Sequence, residues 1–203
     1  MQNTSYAQEL RRIVQAIGDM PTNIYHPSDD SYLMLEAVSR LPLQGRKVLD
    51  VGTGSGILAL YCAMHGAQVT ATDIDASALR QAQKAAEALG LRLETTLSDL
   101  FSEVHGQFDS VLFNPPYLPS SILADRTVDG GPGGRVLSKQ FLKELPSYLN
   151  QNGKALLLVS SLNEPTTLVG MYPGLRFTVM AKRSLFFEGL QVLGVRFRED
   201  FTG

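Results

Sequence analysis

Residues 47–57, Lys-Val-Leu-Asp-Val-Gly-Thr-Gly-Ser-Gly-Ile, decide the fold. Lys47–Val51 reads as a buried strand and Ile57–Met64 as a helix. Between them Gly52, Gly54 and Gly56 form a turn in which the backbone can bend sharply and approach a ligand closely. A strand that runs through a glycine turn into a helix opens a nucleotide-binding α/β unit, but glycine spacing alone is shared by binders of many kinds. Asp50 narrows the choice. A dinucleotide would bring its pyrophosphate to this turn, where a carboxylate repels it. A ligand carrying an ammonium and a sulfonium would be attracted instead.

Outward from this stretch the pattern alternates. Gln68–Thr72, Leu93–Thr96, Ser110–Phe113 and Lys154–Val159 read as strands, and Ala76–Leu89 and Val136–Leu149 as helices. Short strands alternating with helices imply right-handed crossovers and a mostly parallel sheet with helices on both faces, a Rossmann-like α/β architecture. Arg176–Leu185 and Leu190–Arg198 flank Glu188-Gly189 as a hairpin, which predicts an antiparallel edge. Upstream, Leu10, Ile13, Val14 and Ile17 lie at helical spacing, and a second helix starts at Ser28 and runs to about Leu41. Residues 1–42 are expected to pack as a helical extension on a single domain spanning 1–203.

Three acids lie at successive strand ends, where open α/β sheets bind their ligands. Asp50 is the first. Asp73 lies 23 residues later, placed to accept hydrogen bonds from both hydroxyls of a ribose. Asp75 is read as a helix cap. Asp99, in Ser98-Asp99-Leu100-Phe101, can accept from an adenine amino group. With Ile74 and Leu100 beside them, these acids suit S-adenosylmethionine. Asn114-Pro115-Pro116-Tyr117 follows the next strand. Its prolines remove donors and fix the backbone, so the Asn114 side-chain oxygen and the Pro115 carbonyl can receive both hydrogens of an NH₂ group. Tyr117 offers a face for a flat group to stack on. The loop from Leu118 to Arg135, with Gly130-Gly131-Pro132-Gly133-Gly134, lacks periodicity, and its length and place after a strand favour function.

Composition removes several classes of function. The chain has 203 residues, 44% of them hydrophobic and 19% charged, which fits one ordinary globular core. A formal charge of −2 gives no general attraction to nucleic acid or anionic membrane. Cys62 is the only cysteine, so no intrachain disulfide forms. No apolar run approaches the ~20 residues of a membrane span, and residues 1–14 do not read as a signal peptide. A cytoplasmic protein is expected. His26, His65 and His105 are scattered, without companions at metal-ligand spacing, so neither a catalytic metal nor a histidine general base is expected.

These residues together resemble the HemK-like class I methyltransferases with the Asn-Pro-Pro-Tyr signature. The likeness covers about residues 24–200. It is nearest to the short archaeal and eukaryotic branch that modifies release factors, whose opening Tyr-x-Pro-x-x-Asp-Ser/Thr segment is matched by Tyr25, Pro27, Asp30 and Ser31. The glycine turn, Thr72-Asp73, Asp99-Leu100-Phe101, Phe113–Tyr117 and Gly130–Arg135 also match. The resemblance implies a seven-stranded sheet and methylation of a glutamine side-chain amide. It implies further cofactor contacts from Pro27 through Ser31, near the methionyl end. Its implied partners are a release factor with a Gly-Gly-Gln loop and a small zinc-binding activator subunit. Two departures stand out: the helix from Ala76 lacks an asparagine that many relatives carry toward its end, and no separate N-terminal helical domain is expected ahead of residue 24. An adenine N6-methyltransferase, a small-molecule or lysine N-methyltransferase, and a non-catalytic binding subunit remain as rivals. The first would need groups to hold a flipped base, and the intact acids and Asn114 weigh against the last.

Overall fold

A computed structural model describes residues 2–119 and 128–198. Two helices come first, α1 (Gln2–Ile17) and α2 (Asp29–Val38). The alternating part runs β1 (Lys47–Val51), α3 (Ile57–Met64), β2 (Gln68–Asp73), α4 (Ala76–Ala88), β3 (Glu94–Leu97) and β4 (Phe108–Phe113). It continues through α5 (Val136–Glu144), β5 (Leu149–Ser160), α6 (Pro165–Gly170), β6 (Leu175–Ser184) and β7 (Gly189–Phe197). Among the described residues the strands form one sheet of seven, ordered β3-β2-β1-β4-β5-β7-β6. Strands β1 to β5 pair in parallel, and β7 runs antiparallel to both β5 and β6. The Rossmann-like sheet and its C-terminal hairpin are as the sequence predicts.

The sheet is apolar on both faces because alternate residues of each strand point to opposite sides. Val48, Leu112, Leu156 and Val192 join Ile13 of α1, Leu33 of α2 and Leu60 of α3 in one core. Leu49, Val111, Leu157 and Val195 join Phe141 and Leu142 of α5 and Leu168 of α6 in the other. Helix α1 lies against α3 and α4, and the Gln81 side chain donates to the Ile17 carbonyl at its end.

Several boundaries differ from expectation, each for a local reason. The helix expected from Val136 to Leu149 ends at Glu144, where Leu145–Ser147 tightens into a 3₁₀ turn around Pro146. Pro146 has no N–H to continue the helical ladder. Strand β5 therefore starts at Leu149 rather than Lys154, with a register shift against β4 between Phe108 and Ser110. Helix α2 ends at Val38 rather than near Leu41, because the chain tightens into i−3 bonds from Arg40 and Leu41 ahead of Pro42. Helix α6 was not expected, since its 6 residues are too few to show a helical period.

The strand order reverses between β1 and β4. From β1 the chain winds outward to β2 and β3, then returns to β4 on the other side of β1. The connections leaving β1 and β4 thus diverge, opening a crevice beyond their carboxyl ends. The Gly52–Gly56 turn leaves β1 there, and Asn114–Tyr117 leaves β4.

Candidate active site

A cleft of about 690 Å³ occupies that crevice. Gly52, Gly54, Asp73, Ile74, Asp99, Leu100, Asn114, Pro115 and Tyr117 line it, as do Asp30 and Ser31 from the start of α2. Asp50, Gly56 and Pro27 do not. Asp50 lies buried beneath the turn and accepts a hydrogen bond from Thr53 Oγ1 at 2.7 Å. Burial pushes its carboxyl up to about 7, against the pull of hydrogen bonds from Thr53 and the Ala59 N–H. Gly56 starts α3 at φ +80°, and a Cβ there would lie 2.8 Å from the Ala82 Cβ, so its lack of a side chain lets α3 meet α4. Pro27 precedes the N-cap Ser28, whose N–H donates to Ser31 Oγ at 3.4 Å.

Asp73 ties the glycine turn to β2. Its two carboxylate oxygens accept from the Gly54 and Asp75 N–H groups, each at 2.9 Å. Burial raises its carboxyl from the ordinary value, and those two bonds oppose the rise. Asp75 caps α4, accepting from the Ser77 N–H at 2.7 Å and from Asn23 Nδ2 at 2.7 Å. Leu100 sits on the cleft at φ +49°, a conformation that costs a non-glycine residue about 1–3 kcal/mol. Buried Ser98 holds it, donating to the Leu100 carbonyl at 3.0 Å and accepting from the Glu103 N–H at 3.1 Å. Asp99 itself is exposed, and Ile74 is 45% exposed. Above the turn, the Tyr25 hydroxyl donates to Asp30 Oδ2 at 2.7 Å.

Asn114 holds the decisive atom. Its side-chain oxygen is buried yet has no hydrogen-bond partner. A buried polar atom left unpaired costs roughly 1–3 kcal/mol, which is tolerable where a ligand will satisfy it. Tyr117 is half-buried on the same wall. Burial, then the charges of Asp30, Glu188 and Asp29, holds its phenol above the usual value. Burial and Asp30 do the same to Tyr25. Both hydroxyls therefore stay protonated at neutral pH.

The backbone of the Asn-Pro-Pro-Tyr turn is clamped from two sides. Buried Asn163, just after β5, donates from Nδ2 to the Tyr117 carbonyl at 2.7 Å and to the Gly133 carbonyl at 3.4 Å, while its Oδ1 accepts from the Ser160 N–H at 2.9 Å. The glycine-rich segment packs on the same turn. Leu118 N–H bonds the Val128 carbonyl and Gly130 N–H bonds the Leu118 carbonyl, both at 2.9 Å. A Cβ on Gly130 would stand 2.7 Å from the Pro116 carbonyl oxygen. Of the Leu118–Arg135 loop, for which the sequence predicts a functional role, residues 120–127 lie outside the described residues, and the remainder reaches the cleft through Leu118, Val128 and Asp129.

Asn23, Asn163 and Glu188 belong to the site without a sequence expectation that places them there. Asn163 had a signal: Ser160-Ser161-Leu162-Asn163 turns polar where an apolar strand reaches the ligand edge. Asn23 and Glu188 had none beyond an irregular segment and a hairpin turn. Among the described residues no cluster of three His, Cys, Asp or Glu could hold a metal ion, and no helix is long and apolar enough to cross a membrane.

Comparison with known proteins gives a consistent picture. The family profile described as Methyltransferase small domain matches residues 28–172. A Methanocaldococcus jannaschii protein named for protein N5-glutamine methylation is 35% identical, over 84% of this chain and 90% of its own. The ribosomal RNA small subunit methyltransferase C of Chromohalobacter salexigens is 35% identical over 68% of this chain, and the release factor glutamine methyltransferase of Deinococcus radiodurans 33% over 66%. This chain spans only 38% and 52% of those two longer proteins. Among solved structures, Mtq2 from the E. cuniculi Mtq2–Trm112 complex, described as methylating the termination factor eRF1, superposes with a TM-score of 0.73 at 24% identity. The superposition covers 87% of this chain and 100% of Mtq2.

Proposed function

The chain belongs to the methyltransferase small-domain family, and on that premise we propose that it transfers a methyl group from S-adenosylmethionine to the side-chain amide of a protein glutamine. The observation that carries the reading is Asn114, which lines the cleft and whose side-chain oxygen is buried without a partner, opposite a wall that suits an adenosyl group. The name of the M. jannaschii relative supports the amide acceptor, and the D. radiodurans relative a release factor.

The donor set fits the cofactor. Asp73 offers carboxylate acceptors to a ribose, Asp99 one to an adenine amino group, and Ile74 and Leu100 apolar faces to the base. Asp30, on the cleft wall, favours positive charge near the methionyl end. Bound there, S-adenosylmethionine supplies a methyl group made electrophilic by its sulfonium.

This chain's own residues then act on the acceptor. An amide nitrogen is a weak nucleophile because its lone pair is delocalised into the carbonyl. Asn114 Oδ1 accepts one N–H and the Pro115 carbonyl the other, which fixes the group and raises electron density on nitrogen. Tyr117 sets the face presented to the cofactor. Orientation of this kind can lower a barrier by about 7–11 kcal/mol in favourable cases. The tyrosines stay protonated, so the amide proton passes to solvent. A small activator subunit, such as the partner in the Mtq2–Trm112 complex, is part of the proposal.

The test uses a release-factor domain carrying a Gly-Gly-Gln loop. It should take up the label, and its Gln→Ala variant should not. Asn114→Ala should keep cofactor affinity and lose about a hundredfold or more in turnover. Methylation of protein-free RNA or DNA, with none on any protein, refutes the acceptor.

A further inference from the structure

The most exposed large apolar side chains of the described structure stand together. Phe186 is 92% and Phe187 86% exposed, at the tip of the β6–β7 hairpin. Their rings touch edge to face with centroids 4.7 Å apart. Nothing in the fold explains them, because residues this exposed contribute little to either core. Two aromatics held in water at a fixed place mark a recognition element.

The tip is not a loose appendage. The Leu185 N–H bonds the Glu188 carbonyl at 2.8 Å, closing the turn that carries both rings. Ser160 Oγ donates to the Glu188 carboxylate, and the Gly189 N–H donates to Ser161 Oγ at 3.0 Å. The same residue, Glu188, lines the cleft. The aromatic pair is thus a braced continuation of the cleft wall beside Tyr117.

We infer that Phe186 and Phe187 dock an apolar surface of the folded polypeptide that presents the acceptor amide, an inference that rests on the protein-acceptor reading above. A small substrate enclosed in the cleft would leave both rings in water, so only a macromolecule uses them. Aromatic rings can also stack on bases. Here, however, Glu188 beside the pair opposes a phosphate backbone. Arg183 is occupied by Asp29 at 3.0 Å. A permanent partner on the tip would crowd the cleft mouth, so the occupant arrives and leaves with the acceptor.

The test compares the full chain with F186S/F187S, whose solvent-facing positions leave both cores intact. Initial rates are measured with tritiated S-adenosylmethionine on a folded release-factor domain bearing the Gly-Gly-Gln loop, on a short peptide of that loop, and on total RNA. The expected result is a KM for the folded domain raised about tenfold or more, with kcat, cofactor affinity and rate on the short peptide unchanged. Equal KM values on the folded domain overturn the inference. So does an equal loss on domain and peptide, or RNA labelling that the substitutions abolish. A wild-type dimer that the variant dissolves in sedimentation assigns the pair to a second copy and also overturns it. If the wild type labels none of the three probes, the release-factor reading fails separately. The inference is then decided on the protein fraction of a source-cell extract, where equal labelling by both enzymes, or none by either, refutes it.

Discussion

Gly134→Ala tests whether the glycine-rich segment holds the Asn-Pro-Pro-Tyr turn. Gly134 has φ +64°, and a Cβ built there would fall on the Tyr117 carbonyl oxygen and the Asn163 amide nitrogen. Gly90 is the internal control: its φ is +68°, but nothing lies within 4 Å of its Cβ position. Both alanines bear the left-handed strain of about 1–2 kcal/mol, partly offset by a stiffer unfolded chain. Gly90→Ala should therefore lose about 1 kcal/mol in urea unfolding and keep normal turnover. Gly134→Ala must also drive the Tyr117 carbonyl off Asn163, leaving a buried donor and acceptor unpaired at about 1–3 kcal/mol each. Its expected loss is about 3–7 kcal/mol. A turn displaced by about an ångström should cost roughly a hundredfold in rate, while cofactor affinity in calorimetry stays within about threefold. Asn163→Ala, which removes the clamp without adding volume, should reproduce the rate loss. Wild-type turnover in Gly134→Ala, or equal destabilisation by the two alanines, would refute the reasoning.

Two further outcomes follow from Asp73 in the cleft and Asp50 beneath it. Asp73→Ala should weaken S-adenosylmethionine binding by about 1.5–3 kcal/mol, and unchanged affinity in calorimetry with the fold intact removes Asp73 from the site. Asp50 sets a pH dependence: its carboxyl sits at about 7 folded against an ordinary 3.8, so between those values the folded chain keeps a proton that the unfolded chain releases. Stability should fall as pH rises through that window, by roughly 4 kcal/mol at most, with Asp73 shifted in the same direction. Asp50→Asn should flatten the difference in urea midpoint between pH 5 and pH 8, and an unaltered difference would locate the titration elsewhere.

Much of this site is legible because its parts sit at strand ends. Strand, turn and helix are written in local periodicity, and an open α/β sheet gathers its strand ends on one edge whatever the loops contain. Asp73, Asp99 and Asn114 could therefore be assigned to one cleft from a sequence in which they lie far apart. The boundaries that failed, at Glu144 and Leu149, turn on Pro146, whose effect is local but was outvoted by a longer apolar pattern.

By itself, then, the sequence determined the alternating architecture, the glycine turn, the acids at the ends of β1 and β2 and after β3, and the Asn-Pro-Pro-Tyr turn. Only the tertiary structure decided which residues hold that turn. Asn163 meets Tyr117 across 46 residues of chain, and Gly134 is glycine because two distant backbones meet there. It likewise decided that Asp50 lies beneath the cleft rather than on it, and that Glu188 reaches into it from a hairpin. The physical reason is range. Periodicity and strand-end position repeat within a few residues and can be read locally, whereas a buried hydrogen bond or a close backbone approach exists only once separate segments have packed.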